Sequence, residues 1–105
     1  MNNKLLSLLG LMRRAGKLSL GFDAAAESVQ SGESRLILTT ADISPKTLKE
    51  LNYKINEAVS VLPLGCTQDV LGAAIGKGVK IISINDQGFA QKAKLLMEAA
   101  ADTEN

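Results

Sequence analysis

Hydrophobic residues recur at helical and strand spacings in alternation along this chain, and the pattern predicts five helices and four strands. The first predicted helix runs from residue 4 to about residue 15, and its buried face holds Leu5, Leu8, Leu9 and Met12. Short apolar runs at 18–20, 36–40, 59–63 and 79–84 are predicted as strands. The remaining helices are predicted at 22–31, from 44 to about 52 or 56, at 67–75 and after residue 86 to about residue 100.

Start and stop signals place the ends of several of these elements. Ser44 precedes Pro45, a pair typical of a helix N-terminus, and Thr67 is predicted to cap the helix that follows it. Because each strand is followed by a helix, the order predicts one domain over residues 1–105, an α/β/α three-layer sandwich. Its central four-stranded sheet is expected to be largely parallel. The core is expected to span about residues 4–97, and residues 101–105 are expected to fray.

Composition removes several classes of chemistry. The chain has no histidine and one cysteine, which excludes zinc clusters and histidine-dependent triads and favours a reducing, cytoplasmic setting. Only three residues are aromatic, which argues against recognition by base stacking. The apolar run at 5–12 is too short to span a membrane and is followed by Arg13 and Arg14. We therefore expect no cofactor, no metal and no membrane partner.

Charge is unevenly distributed near a glycine turn. The first twenty residues contain Lys4, Arg13, Arg14 and Lys17 and no acid, so the net charge of +1 leaves −3 for the remainder. Gly21 follows the strand at 18–20 and precedes a helix, an arrangement that exposes backbone N–H groups to anions. The basic cluster and the turn together predict contact with a nucleic-acid phosphate. The alternative is that these cations only make the surface more soluble.

A second candidate loop follows the third predicted strand, at residues 64–67. Leu64 there is either an exposed apolar contact or part of the core, and Cys66 is either a thiol with a lowered pKa or inert. Because parallel strands end at one edge, the turn at 17–22 and this loop are predicted to lie side by side. Asp23 and Glu27 share a helix face, where they offset the helix dipole or act as an acid–base pair.

An ordered series of short motifs resembles the ribosomal protein L7Ae/L30e superfamily, and most closely its bacterial YlxQ-like branch. The resemblance covers roughly residues 5–97. It rests on Leu9-Gly10-Leu11-Met12-Arg13-Arg14-Ala15-Gly16-Lys17-Leu18, on Gly21, Gly32 and residues 36–40, on Ala41-Asp42-Ile43-Ser44, on residues 71–77 and on Asp86-Gln87-Gly88-Phe89-Ala90.

The resemblance implies an α/β/α sandwich that binds kink-turn RNA, a sharply bent internal loop with sheared G·A pairs. In that family a Gly-x-Asn-Glu turn and a lysine further along the helix read guanine edges. The loop after the third strand covers a flipped-out nucleotide. This chain keeps the glycine but has Asp23, Ala24 and Glu27 where Asn, Glu and Lys are usual. Base contacts of this kind contribute about 1–3 kcal/mol each, so these departures weaken specific recognition.

The sequence thus predicts a non-catalytic, monomeric RNA-binding protein of the cytoplasm, with structured RNA and the ribosome as partners. Two alternatives stay open: a module that keeps the fold but binds protein, and a small-molecule or phosphate-binding α/β enzyme. The predicted RNA-contacting residues are Arg13, Arg14, Lys17, Gly21, Phe22, Asp23, Ala24, Glu27, Leu64, Gly65, Cys66 and Thr67.

Overall fold

A computed structural model describes the backbone of residues 3–104 and the side chains of residues 3–99. Five helices and four strands lie in this part of the chain, close to the predicted positions. None of these helices is long and apolar enough to cross a membrane. In chain order the elements are α1 (Asn3–Arg14), β1 (Leu18–Leu20), α2 (Phe22–Gln30), β2 (Leu36–Thr39), α3 (Pro45–Ile55), β3 (Val61–Pro63), α4 (Gln68–Ile75), β4 (Ile81–Ile84) and α5 (Gln87–Glu104).

The strands form one sheet in the order β1-β4-β2-β3. The pair β2–β3 is parallel, but β4 runs antiparallel to both of its neighbours, with Ile82 opposite Leu20 on one side and Leu38 on the other. Two of the three strand pairs are therefore antiparallel, and the prediction of a largely parallel sheet is wrong.

The cause is the short return that leads into β4. Helix α4 rises about 12 Å, and the segment after it then runs back alongside it, with the backbone of Gly78 close to Gly72. The side-chain amide of Gln68, at the start of α4, donates to the carbonyl oxygen of Gly78 at 2.9 Å. The chain thus returns to the edge where β3 ended, and β4 begins there and runs in the opposite direction.

Helices cover both faces of the sheet, which gives the predicted three layers. Leu36 and Leu38 of β2 point to one face and pack with α1, α4 and α5, whereas Ile37 points to the other and packs with α2 and α3. This alternation follows from the two-residue period of a strand. On the predicted inner face of α1, Leu5, Leu9 and Met12 are fully buried and Leu8 is half-buried.

A buried polar cluster links β1, β4 and α2 on the second face. The hydroxyl oxygen of Ser83 lies 2.7 Å from both the Ser34 hydroxyl and the side-chain oxygen of Asn85. Since a hydroxyl has one proton, Ser83 donates to Asn85 and accepts from Ser34. The Asn85 amide donates to the Ser19 hydroxyl at 2.8 Å, and Ser19 in turn bonds Ser28. These bonds satisfy hydroxyl groups that would otherwise be costly to bury.

Helix ends follow the predicted signals in part. The Ser44 hydroxyl accepts from the Thr47 N–H, and Gly76 ends α4 in the left-handed conformation, as predicted. Asp86 accepts from the Phe89 N–H at the start of α5, which extends to Glu104 rather than to about residue 100. The predicted fraying of residues 101–105 stays a prediction, and Asn105 lies outside the described residues.

Candidate functional site

Three strands end at one edge of the sheet, which we call the carboxyl edge, and β4 begins there. Backbone hydrogen bonds tie this edge together: the Gly21 N–H donates to the Ile81 carbonyl at 2.8 Å and the Thr40 N–H to the Lys80 carbonyl at 2.9 Å. The turn at Gly21 and the loop at 64–67 are both at this edge. They are not side by side, because β4 and β2 lie between them and separate them by about 14 Å.

Gly21 presents the N-terminus of α2 at the carboxyl edge. Its φ of 96° and ψ of 170° lie in a region that only glycine occupies readily. No side chain among the described residues caps this helix, and the Gly21 carbonyl accepts the first helical bond from the Ala25 N–H. Apart from Gly21 itself and its two chain neighbours, no heavy atom within residues 3–99 lies within 4 Å of the place where a Cβ would project from Gly21. The positive end of α2 is therefore open to an anion.

The first two turns of α2 carry acids and no cation. Asp23 and Glu27 are exposed, while Phe22 and Ala24 are half-buried. Asp23 lies in the first turn, where a carboxylate offsets the helix dipole, as one of the two readings predicted. The carboxylates of Asp23 and Glu27 offer hydrogen-bond acceptors to a partner. Glu27, one turn after Asp23, repels phosphate.

The loop at 64–67 is partly a core element. Leu64 and Cys66 are each only 6% exposed, so Leu64 belongs to the core and its side chain is not a surface contact. Burial raises the pKa of the Cys66 thiol, a shift opposite to the lowered pKa of a reactive thiol. Gly65 and Thr67 are exposed and form the outer surface of this loop.

Asp42 joins the end of β2 to the start of α4. Thr67 occupies the N-cap position of α4, as predicted, but its side chain makes no capping bond; the Asp42 carboxylate accepts from the Gln68 N–H at 3.0 Å instead. The nearby Thr40 hydroxyl, the Gln68 N–H and the charge of Lys80 hold the pKa of Asp42 below its ordinary value of 3.8. The Gln68 N–H makes a hydrogen bond of normal geometry to Asp42, whereas the buried Thr40 hydroxyl oxygen makes none within the described residues, so we attribute the cap to the Gln68 contact. A residue from a distant loop thus supplies the cap, which local sequence signals do not reveal.

This cap makes stability depend on pH. Because the folded state lowers the pKa of Asp42, the carboxylate stabilises the fold above pH 3.8 and loses this effect as pH falls through the lowered pKa. Asp42→Asn keeps an acceptor oxygen but cannot titrate. We expect urea unfolding from about pH 6 to about pH 2.5 to show the wild type losing stability relative to Asp42→Asn. The same pH dependence in both proteins would contradict this role.

The basic cluster and the glycine turn do not form one site. The carbonyl of Lys17 accepts from the Asn85 N–H, which places Lys17 at the opposite end of β1, about 13 Å from Gly21 at about 3.3 Å per residue. The Arg13 guanidinium donates to the Ile75 carbonyl at the end of α4. Arg14 lines a cleft between α1 and α4. The sequence predicts one site that combines these cations with the Gly21 turn. In the structure the short strand β1 separates Lys17 from Gly21.

Lys80 is a cation of the carboxyl edge that the sequence pattern did not single out. It is exposed, it precedes β4, and its carbonyl bonds the end of β2. Its position follows from the antiparallel direction of β4, since in a parallel sheet the residue before β4 would lie at the other edge. Only a knowledge of strand direction could have revealed it. Within the described residues, no three carboxylate or thiol side chains are grouped so that they could hold a metal ion.

Comparison with known proteins places the chain among relatives of similar length. Residues 3–94 match the family described as Ribosomal protein L7Ae/L30e/S12e/Gadd45 family. The chain is 34% identical over 92 residues to RNA-binding protein YlxQ of Bacillus subtilis (strain 168), covering 87% of this chain and 92% of that protein. It is 30% identical over 99 residues to RNA-binding protein YlxQ of Enterococcus faecium, covering 90% and 92%. A solved structure of a protein with unknown function from Bacillus halodurans C gives a TM-score of 0.80 at 36% identity, covering 90% and 97%.

Proposed function

The chain belongs to the ribosomal protein L7Ae/L30e/S12e/Gadd45 family, and we propose that it is a non-catalytic protein that binds structured, kink-turn-like RNA on the ribosome. The observation that carries this proposal is the open N-terminus of α2, presented by Gly21 at the carboxyl edge beside Lys80. The names of the two bacterial relatives, both RNA-binding proteins, support it.

The carboxyl edge suits a bent RNA chemically. The missing Cβ at Gly21 leaves room for a backbone to approach the N–H groups of α2. Asp23 is exposed and can accept hydrogen bonds from the N1–H and N2–H₂ groups of guanine, which are donors. Gly65 and Thr67, across β4 and β2, provide a second wall about 14 Å away. A sharply bent loop can touch both surfaces at once.

Lys80 supplies the phosphate contact in this arrangement, and Lys17 provides a matched comparison. Both side chains are exposed, and Lys→Gln removes one charge at either position. We expect Lys80→Gln to weaken kink-turn binding by about five- to tenfold and to lower the salt slope by about one. Lys17→Gln, at the opposite end of β1, is expected to have a much smaller effect. Binding titrations at several salt concentrations measure both.

Equal losses in the two variants would show that the RNA follows the basic N-terminal cluster and not the carboxyl edge. No loss in either would remove both lysines from the interface. An enzyme-like role is not part of the proposal.

A second candidate function is protein binding by the same fold. The observation that favours it is the acidic first half of α2, where Asp23 and Glu27 are exposed. A cleft of about 730 Å³ between α1 and α4, beside the 42% exposed Val70, offers an apolar surface. A protein partner would stay bound after nuclease treatment, whereas an RNA partner would be lost.

A further inference from the structure

Helix α3 carries a basic and aromatic strip on its solvent face. Lys46, Lys49 and Tyr53 are three and four residues apart, so their side chains share one side of the helix. All three are exposed, and Tyr53 is 88% exposed. The opposite side holds Leu51 and Ile55, which are buried against the sheet. We call these three exposed residues the α3 strip.

The α3 strip is continuous with the carboxyl edge. A shallow cleft of about 480 Å³ is lined by Phe22, Lys46, Lys49, Glu50, Tyr53 and Lys54. Phe22 directly follows Gly21, so one end of this cleft adjoins the open N-terminus of α2. Lys46 lies in the first turn of α3, and Tyr53 lies seven residues further on, about 10 Å along the helix. A chain leaving the Gly21 turn would therefore pass the lysines before it reaches the ring.

The chemistry of the α3 strip complements an unpaired nucleic-acid strand. Helix α3 has three lysines against one glutamate, while the neighbouring α2 has two acids and no cation. Lysines spaced along a helix attract successive phosphates, and an exposed ring offers a face on which a base can stack. The scarcity of aromatic residues argued against base stacking, but one of the three aromatic side chains is on the surface beside cations.

We infer that the α3 strip binds an unpaired RNA segment that flanks the structured RNA at the carboxyl edge, with one base stacked on Tyr53. The inference rests on the proposed function, because it takes the path of the RNA from the Gly21 turn. It adds a contact to a single-stranded flank. RNAs that share the same bent loop are then bound with different affinities, according to their flanking strands.

Four RNAs test this. They are a kink-turn hairpin with no overhang, the same hairpin with an unpaired overhang of about eight nucleotides at its 5′ end, the same hairpin with that overhang at its 3′ end, and the overhang strand alone. For the wild type, we expect the better of the two overhangs to tighten binding about tenfold, as the stacking of one base does. Tyr53→Ala should abolish that gain and leave the affinity for the plain hairpin unchanged. Tyr53→Phe should keep it, because the ring face remains.

Lysine variants test whether the cations of the α3 strip act at their own positions or only through the net charge of the protein. Lys46→Gln with Lys49→Gln should reduce the salt slope for the overhang hairpin by about 1.4, from about 0.7 per single-strand phosphate. The control is Lys92→Gln, which removes an exposed cation from α5 on the other face of the sheet. It should not change the difference between the overhang and plain hairpins.

Tyr53 is the only tyrosine in the chain, so 3-fluorotyrosine labels this one position. Its fluorine resonance should shift with the overhang hairpin and not with the plain one. Equal binding of the plain hairpin and both overhang hairpins by the wild type, with no shift, overturns the inference while the proposed function stands. If the wild type instead binds the overhang strand alone and not the plain hairpin, with that binding lost in Tyr53→Ala, the α3 strip binds unpaired RNA and the kink-turn proposal is overturned. Binding of none of the RNAs overturns both.

Discussion

The triple variant Asp23→Asn, Ala24→Glu and Glu27→Lys should bind kink-turn RNA about a hundredfold more tightly than the wild type, a gain of roughly 3 kcal/mol. The first change restores an amide that both donates and accepts. The second adds a carboxylate that can read a guanine edge, and the third replaces phosphate repulsion by attraction. Each change supplies a group that the family turn has and this chain lacks.

The three substituted positions allow RNA affinity to be compared at nearly unchanged stability. Asp23 and Glu27 are exposed and Ala24 is half-buried, so their replacement should change the free energy of unfolding little. A straight duplex of equal length should gain much less than the kink-turn, because it offers no sheared G·A edges. Circular dichroism and urea unfolding confirm that the fold is intact before affinities are compared.

A charge-matched control decides whether the gain is specific. The triple variant raises the net charge by two, and so does Glu98→Lys on the exposed surface of α5. The same gain in affinity from Glu98→Lys would show that the added positive charge attracts RNA generally and that α2 does not recognise it specifically. Unchanged affinity of an intact triple variant would count against RNA recognition by α2 and favour the protein-binding alternative.

Gly10→Ala should destabilise the protein by about 1–3 kcal/mol, although the same change in an exposed helix is stabilising by about 1 kcal/mol. Gly10 lies where α1 crosses α4, and a Cβ there would come within 2.9 Å of the Ala74 carbonyl oxygen. That oxygen belongs to the backbone of α4 and cannot rotate away, so the two helices must separate. Gly10→Val should cost more, since it adds two further methyl groups at the same contact.

Gly88→Ala is the matched comparison for Gly10. Gly88 is exposed in the first turn of α5, and its added Cβ would meet only the end of the Asp86 side chain, at 3.3 Å. The Asp86 oxygen there also accepts from the Phe89 N–H and need shift by only a few tenths of an ångström, so we expect the free energy of unfolding to change by less than about 1 kcal/mol. Urea unfolding of the three variants measures the difference, and a stabilising Gly10→Ala would show that α1 and α4 are not in backbone contact.

Local signals predicted the elements well because they depend on neighbouring residues. The Ser44–Pro45 pair, the glycine after α4 and the spacing of Leu5, Leu9 and Met12 each specify an element from within a few positions. The capping of α4 by Asp42 was missed for the same reason, since the acceptor lies 26 residues away from its donor.

The candidate site divided along the same line. The Gly21 turn and the loop at 64–67 lie at one edge of the sheet, as predicted, but they are not adjacent, because β4 and β2 lie between them. The sequence placed Lys17 near Gly21 because they are four residues apart, whereas the extended strand β1 separates them. The sequence does not single out Tyr53, since its exposure depends on which face of α3 packs on the sheet.

The sequence by itself determined the order of helices and strands, the α/β/α layering and the family, since periodicity, caps and ordered motifs are properties of short segments. Only the tertiary structure decided the direction of β4, and with it the position of Lys80 at the carboxyl edge and the burial of Leu64 and Cys66. The physical reason is that strand direction depends on where the chain returns after α4. That return runs alongside α4, where Gln68 contacts Gly78 ten residues later, and no local pattern encodes it.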